Sequence, residues 1–150
     1  MEYIEIDHTA SDAQRAKALA EIVSIKPPFN ATPGPIGGGR IYMHTFWQRG
    51  GSDMEYTSVQ ALESHINRVL EVFKMPQQEQ HEVNFRHERM LCCYTAIHKP
   101  HFLVDADDQL WVVAFSQFNV LPESFMDLAL RMDAVERRSP PTAVSWLDSD

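Results

Sequence analysis

Two β-rich runs separated by a short acidic turn are the feature that most constrains the fold of this chain. The first run covers residues 102–105 (FLVD) and the second covers 109–115 (QLWVVAF), with Ala106, Asp107 and Asp108 between them. Branched and aromatic residues on both sides of an Asp-rich turn are typical of an antiparallel hairpin. The second half of the chain is therefore predicted to contribute antiparallel strands.

The elements around this hairpin follow from the spacing of apolar residues and from the prolines that interrupt it. We predict strands at 3–8, 41–47, 83–87 and 91–98, helices at 12–25, 58–74 and 122–138, and a loop at 26–40. After the helix at 58–74, short strands follow one another up to the last helix. The order predicts an α+β domain whose antiparallel sheet is covered by the helices at 12–25 and 58–74, with the third helix packed at an edge or an interface.

Composition and charge restrict the class of protein. The chain has 150 residues, of which 44% are hydrophobic and 23% are charged, as in a folded globular domain. We assign residues 1–138 to one domain and 139–150 to a loose tail. The net charge of −8 and the scattered basic residues disfavour nucleic acids and anionic membranes as partners. Without a membrane-spanning run or a signal-peptide pattern at the N-terminus, the expected location is cytoplasmic.

The loop at 26–40 contains four prolines and four glycines. Such a composition suits a loop that wraps an edge or covers a cavity, and loops of this kind often carry function. The three consecutive glycines at 37–39 lack the lysine and hydroxyl residue of a phosphate-binding loop. We therefore expect a lid or a connector near the mouth of a pocket.

Signatures of nucleophilic and metal chemistry are missing from the sequence. Cys92 and Cys93 are adjacent and have no base beside them, and no Gly-x-Ser-x-Gly motif is present. Four histidines lie between positions 81 and 101, but their spacing matches no zinc motif. We expect neither a metal nor a cofactor.

Alternation along the predicted strands gives the best indication of a site. Alternate residues of a strand share a face, so Tyr42 lies with His44 and Phe46, Tyr94 with His98, and Trp111 with Phe115. Aromatic walls with a few polar tips are typical of ligand pockets, although ordinary sheet residues give the same pattern. Our candidates are His44, Tyr94 and His98 for catalysis, and Tyr42, Phe46, Trp47, Trp111 and Phe115 for ligand binding.

From Tyr56 to Leu130 the chain resembles the nuclear transport factor 2-like superfamily, which includes SnoaL-like cyclases and limonene epoxide hydrolase-like proteins. The resemblance rests on residues 58–63 (SVQALE), on 107–111 (DDQLW) and on the strand-to-helix ending at 118–130. It implies a curved antiparallel sheet, shaped as a cone or half-barrel, that encloses an apolar cavity under two or three helices. Val113 and Ala114 stand where the hydrolase-like members have a polar pair, so that hydrolysis is not implied.

These observations lead to a function with an alternative. We expect a pocket for a small, largely apolar molecule, in which any chemistry is proton transfer with His44 as base and Tyr94 as hydrogen-bond donor. The alternative is a non-enzymatic interaction or inhibitor module that uses the charge of −8 to bind a basic protein. Aromatic strand faces that two helices cannot cover also suggest a homodimer.

Overall fold

Three helices and five strands form the part of the chain that the computed structural model describes, namely residues 3–42, 44, 46–47, 51–73 and 82–138. In chain order they are β1 (Ile6–Thr9), α1 (Asp12–Ser24), α2 (Val59–Val72), β2 (Met90–Tyr94), β3 (Phe102–Asp105), β4 (Leu110–Val112), β5 (Phe118–Pro122) and α3 (Glu123–Arg138). The predicted α+β class is confirmed. The predicted tail at 139–150 lies outside the described residues.

The strands form two antiparallel sheets instead of a single one. One sheet has the order β1-β3-β4, and the other pairs β2 with β5. Over the described ranges these sheets do not close into a barrel, so the cone or half-barrel shape is not confirmed. Within the same ranges, none of the helices has the length and apolar character needed to cross a membrane.

The predicted hairpin is confirmed as β3 and β4, with Leu103 opposite Trp111. Its turn is held by Asp105, whose Oδ1 accepts hydrogen bonds from the backbone N–H groups of Asp107 and Gln109. The second strand is shorter than predicted because Ala114 has a left-handed φ of 65° and a 3₁₀ turn follows at Phe115–Gln117. Phe115 therefore does not continue the strand face of Trp111.

The second sheet differs most from the prediction. The strand expected at 91–98 ends at Tyr94, and residues 83–87, which were also predicted as a strand, are irregular. β5 lies between the predicted hairpin and the last helix, where we predicted no separate strand. In the register of this pair Cys92 faces Val120 and Tyr94 faces Phe118. Asn and Pro disfavour strands, so β5 depends on its pairing with β2 more than on its own composition.

The strand predicted at 41–47 is wrong for the residues that are described. Tyr42 makes one isolated bridge to Gly51, and the chain turns at Phe46 and Trp47. The backbone N–H of Phe46 donates to Nδ1 of His44 at 3.0 Å, a local bond that replaces a ladder bond. Met43 and Thr45 lie outside the described residues.

The helices begin where their capping residues predict. Ser11 and Gln14 form a capping box at the start of α1, and the hydroxyl of Ser58 accepts a bond from the backbone of Ala61 in the first turn of α2. The helix starting at Glu123 also matches the prediction.

The two helices that cover the sheet are not the pair we expected. α1 and α3 pack against β2, and α3 also packs against β5. Although Leu62 and Ile66 of α2 are buried, the side chain of Asn67 on this helix bonds the backbone of Val83 at 2.8 and 3.0 Å. α2 is therefore anchored to the loop before β2. The place over the β2–β5 sheet that we predicted for α2 is taken by α3.

The Pro- and Gly-rich loop wraps an edge of the second sheet. Gly34 and Val120 exchange two backbone hydrogen bonds, of 3.0 and 2.7 Å, so the loop runs beside β5. Gly34 has a φ of 140°, which favours glycine at this crossing.

Candidate functional site

An apolar groove of about 530 Å³ lies between α1 and α3. From α1 the lining residues are Asp12, Arg15, Ala16, Leu19, Ala20 and Val23, whose spacing of three and four places them on one face of the helix. From α3 they are Met126, Leu130 and Asp133, and Ile97 from the segment after β2 completes the lining. Apolar walls with a few charged groups are what a site for a small organic molecule requires.

Arg15 is the buried cation of this groove, with 6% of its surface exposed. Its Nη1 donates to the Ile97 carbonyl at 2.9 Å and its Nη2 to the Asp12 carboxylate at 3.2 Å. The bond to Ile97 crosses from α1 to the segment that follows β2, so it fixes the guanidinium at one end of the groove.

Asp133 is also only 6% exposed and lies at the same end. Its Oδ1 is 3.8 Å from Nδ1 of His98, the residue next to Ile97. That distance is longer than a hydrogen bond, yet a histidine beside a buried carboxylate is a suitable pair for moving a proton. His98 is thus the predicted catalytic residue that the structure places beside the groove.

The apolar surface continues beyond the groove. A neighbouring depression of about 520 Å³ shares Val23, Met126 and Leu130 with it and adds Leu91. Its rim carries Glu88, Glu123, Ser124 and Asp127. Together the two form a continuous apolar path with acidic side chains at the far end.

His44 lies elsewhere, inside a cluster of aromatic rings. It is 2% exposed, and its ring contacts Trp47 at 5.5 Å and Phe125 at 5.4 Å between centroids. Burial lowers the pKa of His44 to about 4, and the backbone of Phe125 partly opposes this shift. Among the described residues its Nε2 has no partner within hydrogen-bonding limits. His44 is therefore a neutral core residue at physiological pH.

Tyr94 is equally buried and its hydroxyl is already engaged. The hydroxyl donates to the backbone carbonyl of Val113, and burial raises the pKa of Tyr94 to about 12. Its ring packs between Phe102 and Phe115. Tyr94 thus supports the core and the segment after β4.

The residues predicted to bind the ligand are divided among several places. Tyr42 and Phe115 are each 56% exposed, whereas Trp111 donates its indole N–H to Asp105 at 2.7 Å. Phe46 and Trp47 join the His44 cluster. The structure brings together His44, Phe46 and Trp47, and it separates them from Tyr94, Trp111 and His98.

Phe46 also lines a small apolar cavity of about 180 Å³ on one side of the aromatic cluster. Ile66, Phe85, Phe125 and Leu128 line the same cavity. Among its described lining residues none carries a charged side chain, so they offer packing space without a charged group that would orient a ligand.

The groove residues Arg15 and Asp133 were missed by the sequence reasoning. A signal was present: each is a charged residue on the inward face of an amphipathic helix, beside Ala18 and Ala129, which are buried. Charged residues are rarely fully buried unless paired. Such positions therefore merit attention as candidate sites.

Other chemistry has little support in the described part of the chain. Cys92 and Cys93 are free and buried, and burial raises the pKa of each thiol, for Cys93 to about 12. A raised pKa keeps a thiol from being a nucleophile. In the described ranges no three His, Cys, Asp or Glu side chains are placed to hold a metal ion.

Comparison of the chain with protein-family models, with curated proteins and with solved structures finds no significant match. The resemblance to the nuclear transport factor 2-like superfamily therefore stays a prediction.

Proposed function

We propose that the protein binds a small, largely apolar molecule in the groove between α1 and α3. The observation that carries this proposal is the combination of apolar walls with two charged residues, Arg15 and Asp133, buried at one end. The walls favour an apolar body, and the charged end fixes its orientation. The nuclear transport factor 2-like resemblance, with its cone-shaped sheet, also belongs to the proposal and is supported by antiparallel sheets under helices.

Proton transfer is the chemistry that this place favours. His98 lies next to the buried Asp133 carboxylate, whereas His44 and Tyr94 are held in the core away from the groove. Isomerisation, dehydration and water activation all need a group that takes up or releases a proton near neutral pH, as an imidazole does. We assign that role to His98.

A screen of small apolar compounds by thermal shift tests the binding proposal, because a ligand that binds only the native state raises the melting temperature. Ala20 is an exposed groove residue, so Ala20→Trp should fill the groove and abolish the shift. The matched control is Ala13→Trp, an exposed position on the same helix outside the groove lining. A library without hits, or hits that survive Ala20→Trp, would contradict the proposal.

A second candidate function is recognition of a basic amphipathic helix of a partner protein. The net charge of −8 and the acidic rim beside Leu91 favour the binding of a basic helix. Binding of this kind should weaken as salt increases. A retained complex that is insensitive to salt would count against it.

A further inference from the structure

Tyr56 and His65 form a hydrogen-bonded pair outside the lining of the α1–α3 groove. The hydroxyl oxygen of Tyr56 lies 2.6 Å from Nδ1 of His65, which is a short hydrogen bond. Tyr56 is fully buried, whereas His65, on α2, is partly exposed. Among the described residues the Tyr56 hydroxyl has no other acceptor within hydrogen-bonding limits. Because a buried hydroxyl rarely lacks an acceptor, the phenol donates its proton to the bond and the imidazole nitrogen accepts.

Tyr94 is the other fully buried tyrosine, and it differs from Tyr56 in its acceptor. Burial raises the pKa of both phenols, so each keeps its proton at neutral pH. The hydroxyl of Tyr94 donates to the backbone carbonyl of Val113, which accepts a hydrogen bond but does not take up a proton. The imidazole of His65 can do both near neutral pH. Of the two buried tyrosines, Tyr56 is thus the one whose proton has a base to move to.

Burial restricts the chemistry that this pair can perform. A hydroxyl without exposed surface does not touch a bound substrate, as a general acid or base must. An electron, in contrast, can pass between neighbouring aromatic rings. The ring of Trp47 lies 6.3 Å from that of Tyr56, and the ring of Phe46, a partly exposed residue, lies 4.9 Å from Trp47. Tyr56 is therefore connected to the surface by a path for electrons.

We infer that Tyr56 and His65 form a one-electron donor site, in which loss of an electron from Tyr56 is coupled to transfer of its proton to His65. The substrate class is a one-electron oxidant at the surface, such as an oxidising metal complex or a peroxyl radical, which is reduced by the electron. The O–H bond of Tyr56 breaks and an N–H bond forms at Nδ1 of His65. The products are a neutral tyrosyl radical and an imidazolium ion. A phenol that kept its proton would become a buried cation, which is costly, whereas this transfer places the charge on the partly exposed histidine.

The test uses tris(bipyridine)ruthenium(III), generated by light with a cobalt(III) ammine complex as final electron acceptor, and electron paramagnetic resonance of rapidly frozen samples. The host protein carries Tyr3→Phe and Tyr42→Phe, which remove the two exposed tyrosines. We expect a tyrosyl radical in the host. Tyr56→Phe should lower its yield at least about tenfold, because the remaining phenol lacks a base, whereas Tyr94→Phe should leave the yield unchanged. A host without a tyrosyl radical, or a radical that survives Tyr56→Phe, would overturn the inference.

His65→Asn in the same host separates proton transfer from a structural role of the hydrogen bond. The amide oxygen of Asn can accept the bond from Tyr56 but does not take up the proton. Formation of the radical should slow at least about tenfold, because a positioned base contributes this much or more. Ser64→Asn, the same substitution at the neighbouring exposed position of α2, is the control and should leave the rate unchanged. An unchanged rate in His65→Asn would overturn the inference.

A measurement on the host itself decides the question where a variant does not fold. After exchange into D2O, the transferred deuteron stays in the hydrogen bond between His65 and the radical oxygen of Tyr56. Electron–nuclear double resonance should therefore detect a deuteron coupled to the radical. A tyrosyl radical without this coupling would show that the proton has left the pair, and the inference would be wrong.

Discussion

The buried guanidinium of Arg15 donates a hydrogen bond of 2.9 Å to the backbone carbonyl of Ile97, which lies 82 positions further along the chain. This bond joins α1 to the segment that leaves β2, so it connects the first helix to the second sheet. Few other side-chain bonds of the described residues span so much sequence. Arg15, which lines the proposed binding groove, thus also connects two parts of the fold.

Arg15→Ala should lower the free energy of unfolding by about 2–3 kcal/mol, because a hydrogen bond to a charged group and the packing of the side-chain stem are both lost. Urea denaturation followed by circular dichroism measures this change. Lys17→Ala is the control, since Lys17 is exposed on the same helix. Equal stability of the two variants would show that the bond to Ile97 contributes little.

Local signals in the sequence located the helix starts and the hairpin correctly. Ser11, Ser58 and Asp105 act through hydrogen bonds to residues within a few positions, so their sequence context contains the information. β5 could not be found in this way, because its pairing with β2 is a contact across about 28 positions. The groove was missed for a similar reason.

Strand parity failed as a guide to the candidate site. Counting alternate residues assumes that the strand continues. The strand that contains Trp111 does not continue, because Ala114 has a φ of 65°. Likewise β2 ends at Tyr94, so His98 no longer shares a strand face with Tyr94 and lies near Asp133 on α3. Where a strand stops depends on tertiary packing that alternation does not record.

The buried His44 should make the stability depend on pH between about 6.5 and 4. Burial lowers its pKa from 6.5 to about 4, so in this range the unfolded chain binds a proton that the folded protein does not. Stability contributed by the neutral ring is therefore complete above about pH 6.5 and declines as the pH falls to about 4. The full loss is about 3 kcal/mol.

Denaturation of the wild type and of His44→Asn across this range measures the effect. Asn keeps an acceptor for the Phe46 N–H group but does not titrate, so the difference in stability between the two proteins should shrink as the pH falls. A difference that is constant with pH would contradict the assignment of a neutral, buried His44.

Gly51 should tolerate substitution far less than Gly37, although both have positive φ values, of 145° and 99°. A Cβ at Gly51 would lie 2.2 Å from the Ile41 carbonyl oxygen, whereas one at Gly37 meets nothing within 4 Å. Gly37→Ala should cost roughly 1–2 kcal/mol from backbone strain alone. Gly51→Ala should cost at least about 3 kcal/mol, because the backbone must move. Thermal denaturation separates them, and similar melting temperatures would show that Gly51 does not lie against Ile41.

Asp105 and Trp111 should be energetically coupled, because the indole N–H donates to Oδ2 of Asp105 at 2.7 Å. Asp105→Asn keeps an oxygen for the two backbone bonds of the turn but loses the acceptor for the indole, and Trp111→Phe removes the donor. Each single variant should lower stability, and the double variant should lower it by less than the sum of the two single effects.

The Trp111 bond also holds the pKa of Asp105 below its ordinary value, so this stabilisation is present above about pH 4 and is lost as the pH falls through the lowered pKa. Additive effects at pH 7, or a coupling that is unchanged at pH 2, would show that the ionised carboxylate does not bind the indole in solution.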